Sequence, residues 1–229
     1  EFEKKLQDRV NKAGKQAEYG TLLTDFEKNY SDIKEYAIAR DYFSEVVLRN
    51  TEILTFGYRL YQLEQVYNTR GEQAFTDRKN NLIAGFESLY KDYSAQVDEK
   101  VFEQLIDLYA KKSPKQFLPE SLNNLDASAL TTSVFSTSKL TNYNGLKELL
   151  TGDAKTVLEK LNQDKAYQLV KSLADSYIKD VAPKFEEINL KNNALQRTYM
   201  KAITQFFPND RIFPDANSTL RVTYGQVKG

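Results

Sequence analysis

Residues 31–67 read SDIKEYAIARDYFSEVVLRNTEILTFGYRLYQLEQVY, and the spacing of apolar side chains in this stretch decides the fold class. From Ser31, read as an N-cap, Ile33, Tyr36, Ala37, Phe43 and Val47 fall on one face of a helix. Across Arg49-Asn50 the pattern restarts with Ile53, Phe56, Leu60, Leu63 and Tyr67. Strands would need strict alternation, which neither run shows. Two consecutive amphipathic helices are therefore expected, and most of the chain reads the same way.

Upstream, Thr24-Asp25-Phe26-Glu27 fits a capping box opening the turns before Ser31. Downstream, Asn68-Thr69-Arg70-Gly71 reads as a turn, the glycine supplying the left-handed backbone that ends a helix. Leu82, Phe86, Leu89 and Tyr93 mark a further helix; Val101, Leu105, Leu108 and Tyr109 mark another, opened near Asp98 and stopped at Lys111-Lys112 and Pro114. Residues 113–144 are the least regular part, with short helical turns expected around Asp126–Phe135. Leu146, Leu149 and Leu150 restore the period until Gly152, and Asp153 caps the next turn. Ala166, Val170, Leu173, Tyr177 and Val181 form one stripe. After Pro183, placed in a first helical turn, Phe185, Ile188, Leu195, Tyr199, Ala202 and Phe206 form another, ended by Pro208 and Pro214. No repeat of fixed period emerges, which argues against a solenoid.

The carboxyl-terminal stretch differs. Residues 218–227, Ser-Thr-Leu-Arg-Val-Thr-Tyr-Gly-Gln-Val, are rich in β-branched and aromatic side chains and alternate with period two. They read as one strand with no second strand in the chain to pair with, and an unpaired strand leaves its backbone donors and acceptors unsatisfied. The expected class is thus all-α, an irregular multi-helix domain with one C-terminal strand belonging to an absent β domain. The expected division is a helical domain over 1–207 and a junction with returning strand over 208–229. The first residue, Glu1, is not Met, so the chain reads as a fragment truncated at its N-terminus.

Composition narrows the chemistry. The 229 residues contain no His, Cys or Trp. Zero Cys removes disulfides, thiolate nucleophiles and cysteine-ligated zinc; zero His removes the commonest base near neutral pH and the commonest metal ligand. A Ser-His-Asp triad cannot be assembled here. There is no Gly-x-Ser-x-Gly elbow and no phosphate loop, so no cofactor is expected. Charge is balanced at 32 basic against 32 acidic residues, without the basic excess of a nucleic-acid binder, and no apolar run approaches the ~18 residues of a membrane span. Asp210, Asp215 and Asn217 suggest a calcium loop only superficially. Counted from Asp215, the glycine position holds Leu220 and the terminal glutamate position Gln226, so no metal site is expected. The sequons at Asn29 and Asn217 are short enough to arise by chance, and Glu186-Glu187 diverge around a helix. The 15 Tyr and 13 Phe read mainly as core, with Tyr at core edges where hydroxyls reach water.

Phe213-Pro214-Asp215-Ala216-Asn217-Ser218-Thr219-Leu220-Arg221-Val222-Thr223-Tyr224-Gly225-Gln226-Val227-Lys228-Gly229 resembles the junction motif of the bacterial exopeptidases called dipeptidyl-peptidases seven and eleven. In that family the pattern is close to Tyr-Pro-Asp-Ala-Asn-x-Thr-Leu-Arg-Leu-Thr-Tyr-Gly. This chain departs from it at Phe213 and Val222. Leu195-Gln196-Arg197-Thr198-Tyr199-Met200 is similar to the family's last long helix; Ala39-Arg40-Asp41-Tyr42-Phe43 and Phe56-Gly57-Tyr58-Arg59-Leu60 are similar in character but less diagnostic. The resemblance implies a parent serine peptidase of the periplasm that removes dipeptides from oligopeptide N-termini, with a chymotrypsin-like double β-barrel as the missing domain and a homodimer as its assembly. Its His and Asp would precede Glu1 and its Ser would follow Gly229, so no catalytic role and no substrate contact is carried onto this chain. Asp215, Asn217, Arg221 and Tyr224 are the residues singled out, as structural members of the junction. The expected function is a helical cap over the barrel's cleft, inactive alone. The alternative is a free-standing helical module that binds a protein through a Tyr-rich face. The full gene separates the two, because an interaction module would lack barrel strands on either side.

Overall fold

The computed structural model describes residues 1–210, 222 and 224–227, and all regular structure among them is helical. The chain divides into two compact units. One comprises residues 1–30 and 190–229, and the other residues 31–189. No Pro/Gly-rich linker marks the division, because two helices, α3 (Leu22–Phe43) and α10 (Ala182–Phe206), each contribute one end to either unit.

In the first unit, α1 (Phe2–Lys12) and the single turn α2 (Gln16–Tyr19) pack with the start of α3 and the end of α10. Leu6, Val10, Tyr19, Leu22, Ala202 and Phe207 form its core. Polar ties close it: the Arg9 guanidinium donates to the Phe206 carbonyl and lies 4.0 Å over the Phe207 ring. Tyr19 donates to Gln205 at 2.9 Å, and Lys201 pairs with Glu18 at 2.7 Å.

The second unit holds α4 (Glu52–Leu89), α5 (Ala95–Lys112), α6 (Ala127–Thr137), α7 (Tyr143–Leu149), α8 (Ala154–Leu161) and α9 (Lys165–Ser176). Its contiguous core takes Phe43, Ile53, Leu54, Leu60, Leu63, Phe75, Phe102, Ile106, Val134, Leu146, Val157, Tyr167 and Leu173, among others. Helix α4 is its axis, packed mainly on α9. Gly57 makes their close approach possible, since a Cβ there would lie 2.8 Å from Val170 Cγ2.

Several expected signals act as anticipated. Gly71 breaks α4 at φ 77°, ψ −170°, the left-handed side open to glycine. Asp153 caps α8 as read, accepting from the amide three residues on, and the helix expected around Asp126–Phe135 is α6, with Asp126 as its cap. Pro183 sits in the first turn of α10.

Others are corrected. Ser31 starts nothing: α3 begins at Leu22 and runs on, because Ser31 is exposed mid-helix and has no terminal amide to cap. The start lies two residues before the supposed capping box, just after Thr21, whose hydroxyl donates to Asp25 at 2.8 Å and whose carbonyl accepts the Asp25 amide at 2.8 Å. The core face of α5 is Phe102, Ile106, Tyr109 and Ala110, whereas Leu108 is exposed; the helix is apolar on two faces, and the face with the bulkier Phe wins burial.

Two features had no counterpart in the reading. Ser44–Asn50, directly after α3, and Tyr177–Val181, directly before α10, are π-helical turns. They belong together, since Phe43 stacks on Tyr177 with centroids 4.3 Å apart and planes 2° from parallel. Asn50 closes the first by donating to the Glu45 carbonyl at 2.9 Å.

The strand expected over 218–227 falls largely outside the described residues. Val222 and 224–227 carry no regular structure and are exposed, and no strand exists among the described residues to pair with them.

Candidate functional site

Three carboxylates lie buried in the second unit, and the chemistry of each follows from its partners. Glu64 projects from α4 among apolar neighbours, opposite Tyr167 and Lys171 on α9. Tyr61 and Glu64 lie three apart on one helix, and Tyr167, Lys171 and Asp175 four apart on the other, so the two faces meet as polar rows. Lys171 Nζ reaches Glu64 at 2.6 Å, the Tyr167 hydroxyl donates to the same carboxylate, and Tyr61 donates to Asp175 at 2.7 Å. Burial, then the hydrogen bonds to carboxylates, push both phenols well above the usual tyrosine range. Glu64 spends one oxygen on the ammonium and one on the phenol. A carboxylate so engaged locks α4 to α9, and its burial and its two partners hold it as a structural anion rather than a base open to substrate.

Asp98 and Asp164 are spent on helix ends. Helix α5 opens at Ala95, near Asp98 as expected, but the Asp98 carboxylate serves another helix. It reaches across to α4, accepting the Glu52 and Ile53 amides at 2.8 Å each and the Tyr93 hydroxyl at 3.2 Å. Thr51, the N-cap position of α4, makes no capping bond of its own, so the foreign carboxylate fills that role. Asp164 caps α9 through the Ala166 and Tyr167 amides and also accepts from Ser138 Oγ and the Lys139 amide, both at 2.8 Å. Tyrosine hydroxyls, expected to seek water, are bonded inside the protein: Tyr90 donates to the Leu140 carbonyl at 2.7 Å and Tyr143 to the Ile83 carbonyl at 3.3 Å.

No group of three or more acidic side chains among the described residues could hold a metal ion. Shallow clefts remain. In the second unit one of about 230 Å³ lies between Tyr42 and Val46 on one side and Leu105 and Leu108 on the other, with Asp41 and Glu45 also in its lining. A polar one of about 260 Å³ is lined by Lys139, Glu148 and Lys160. In the first unit an aromatic cleft of about 620 Å³ opens at Phe26, Tyr30 and Tyr199.

Of the residues singled out from sequence, Asp215, Asn217 and Arg221 lie outside the described residues. Tyr224 is 96% exposed, outside any helix. Asn29 of the first sequon lies inside α3, and Glu187 of the neighbouring glutamates pairs with Lys184 at 2.9 Å. Glu64 and Lys171 were not singled out from sequence although a signal existed: they are opposite charges set beside the packed stripes, Glu64 next to Leu63 and Lys171 next to Val170. No helix among the described residues is long and apolar enough to cross a membrane.

Comparison with known proteins agrees with the junction motif. The sequence model of the family described as Peptidase S46 matches residues 1–229. The chain is 61% identical over 228 residues to an Asp/Glu-specific dipeptidyl-peptidase of Flavobacterium psychrophilum and 44% identical over 228 residues to one of Capnocytophaga gingivalis. It is 24% identical over 240 residues to dipeptidyl-peptidase 7 of Porphyromonas gingivalis. These alignments cover 100%, 99% and 99% of the chain but 32% of each relative, so the chain spans about a third of the length of the curated relatives it matches.

Proposed function

Because this chain belongs to the peptidase S46 family, we propose that it is the helical part of a longer serine dipeptidyl-peptidase, within which it caps the substrate cleft. The observation that carries this reading is the match of the entire chain to about one third of each relative, combined with a described structure that is helical throughout. The chain has no His, and its buried carboxylates are consumed by helix caps and by the Lys171 and Tyr167 contacts. The base and nucleophile would come from the rest of the polypeptide. A helical cap then contributes by limiting entry to free peptide N-termini and by keeping water from the reacting bond. The rigid α4–α9 pair suits that task, since a cap must hold its shape as peptides enter and leave.

Two relatives with 61% and 44% identity carry Asp/Glu specificity in their names, whereas the relative named dipeptidyl-peptidase 7 stands at 24%. On that ordering the whole protein is read as cleaving after an acidic second residue. Residues 208–229, with Asp215, Asn217, Arg221 and Tyr224, are read as the structural junction to a β domain. We also read the whole protein as periplasmic, which cell fractionation checks.

The test uses the whole protein and this chain side by side. The whole protein should release dipeptides ending in Asp or Glu from free N-termini and leave N-acetylated peptides intact. This chain should be helical by circular dichroism and inert. Equal cleavage of acetylated and free peptides would remove the cap, and hydrolysis by the chain alone would remove the division of labour.

A further inference from the structure

We infer that the aromatic cleft of the first unit is a binding site for a cationic side chain, arginine or lysine, presented by a polypeptide. The cleft measures about 620 Å³, enough for one long side chain and its flanking backbone. Three aromatic rings build its wall. Phe26 and Tyr30, one helical turn apart on α3, stack at 6.0 Å, and Tyr199 of α10 meets Phe26 edge-on at 6.0 Å. Glu27 on α3 and Glu3 on α1 line the same space, with Gln196 and Thr24.

The charge pattern selects the ligand. Among the described residues Glu3 and Glu27 make no hydrogen bond or ion pair, and no basic side chain lines the cleft; Lys4, Lys12, Lys28 and Arg197 of this unit stand outside its lining, and three further bases are committed to other partners. Lys5 pairs with Glu1 at 2.8 Å, Lys201 with Glu18 at 2.7 Å, and Arg9 lies over Phe207. The field of Glu3 reaches the wall of the cleft, where burial first and this carboxylate second raise the Tyr199 phenol above its ordinary range. An anion would meet two carboxylates here, and a neutral apolar group would gain nothing from them. A guanidinium or ammonium gains from both surfaces, because ring faces attract cations and carboxylates pair with them. Tyr30, 54% exposed and stacked on Phe26, presents an open ring face that no side chain of the core requires. The site rests on these contacts within one unit and on no step of the peptidase reading.

The experiment is ligand-observed saturation-transfer NMR on the whole protein with three probes: Nα-acetyl-Gly-Arg-Gly-amide, its lysine counterpart and its citrulline counterpart. The acetyl cap removes the terminal ammonium, and citrulline keeps the shape of arginine without its charge. Arginine and lysine peptides should show saturation transfer that falls as salt rises, and citrulline should bind about tenfold more weakly. Tyr30→Ser and Glu27→Gln, both on exposed positions, should each weaken the arginine peptide several-fold, and circular dichroism should show their helix content unchanged. Equal binding of citrulline would overturn the cationic preference. Absence of arginine binding, or binding indifferent to both substitutions, would overturn the site. Hydrolytic activity enters none of these readouts, so a failure here is separate from a failure of the peptidase reading.

Discussion

Replacing Asp98 with Ala removes three contacts at once: the Glu52 and Ile53 amides at the start of α4 and the Tyr93 hydroxyl. Glu52 is exposed, so water can take over its amide, but Ile53 is fully buried and its amide is left without a partner. Leaving one buried donor unsatisfied costs about 1–3 kcal/mol and losing an N-cap about 1 kcal/mol, which together set the expected loss near 3 kcal/mol. For a chain of this size that is a fall in Tm of about 6–12 °C, measured by thermal unfolding followed at 222 nm. Asp98→Asn keeps one acceptor and should lose about a third as much. The pH dependence gives a second check. Burial raises the Asp98 carboxyl above its ordinary value against the pull of its three donors. The unfolded chain therefore ionises first as pH climbs from about 4, and wild-type stability declines until the raised folded value is passed. The gap between wild type and Asp98→Asn should narrow over that interval and stay constant above it. A loss below 1 kcal/mol for Asp98→Ala would refute a foreign carboxylate as the cap of α4, and a gap that widens with pH would refute burial as the stronger influence on its carboxyl.

Alkaline pH probes the phenols. Tyr61, Tyr90, Tyr93, Tyr109 and Tyr167 are all shifted upward, mainly by burial, so above about pH 10 the unfolded chain loses protons that the fold retains. Urea midpoints should fall steeply from that point, and part of the tyrosinate absorbance should appear only as the protein unfolds; a flat midpoint to pH 11 contradicts this. Lys171→Met should cost about 2 kcal/mol by stranding Glu64, and adding Glu64→Gln, which still accepts from Tyr167, should restore most of it in a double-mutant cycle. Gly57→Ala should destabilise by about 1–2 kcal/mol, because crowding Val170 at 2.8 Å outweighs the better helix propensity; Val170→Ala in the same chain should relieve it.

The helices were legible wherever one face was apolar and the end chemistry was local. Asp153 and Gly71 act through their own neighbours, and each did what its position suggested. The helix start near Asp98 was legible but the use of its carboxylate was not, because a carboxylate can cap any helix start within reach and its target lies 45 residues away. Ser31 misled because capping residues signal an end only if the backbone ends there. The two-unit division left no trace, since α3 and α10 carry the chain across it without a linker. The family resemblance, concentrated in residues 195–229, agreed with the match of the whole chain. The candidate cleft was invisible for a different reason: Glu3, Tyr30 and Tyr199 come from distant stretches, and only packing brings them together.

The paired π turns carry one further consequence. A π turn accommodates one surplus residue in a ladder that otherwise repeats at 3.6 per turn, so deleting that residue lets the turn relax to ordinary α geometry. Elsewhere in a packed helix the same deletion would swing every later side chain by about 100° off its contacts. Ser44–Asn50 and Tyr177–Val181 are therefore where this chain can shorten by one residue with both flanking faces kept in register, and where gaps of that length belong when relatives are aligned.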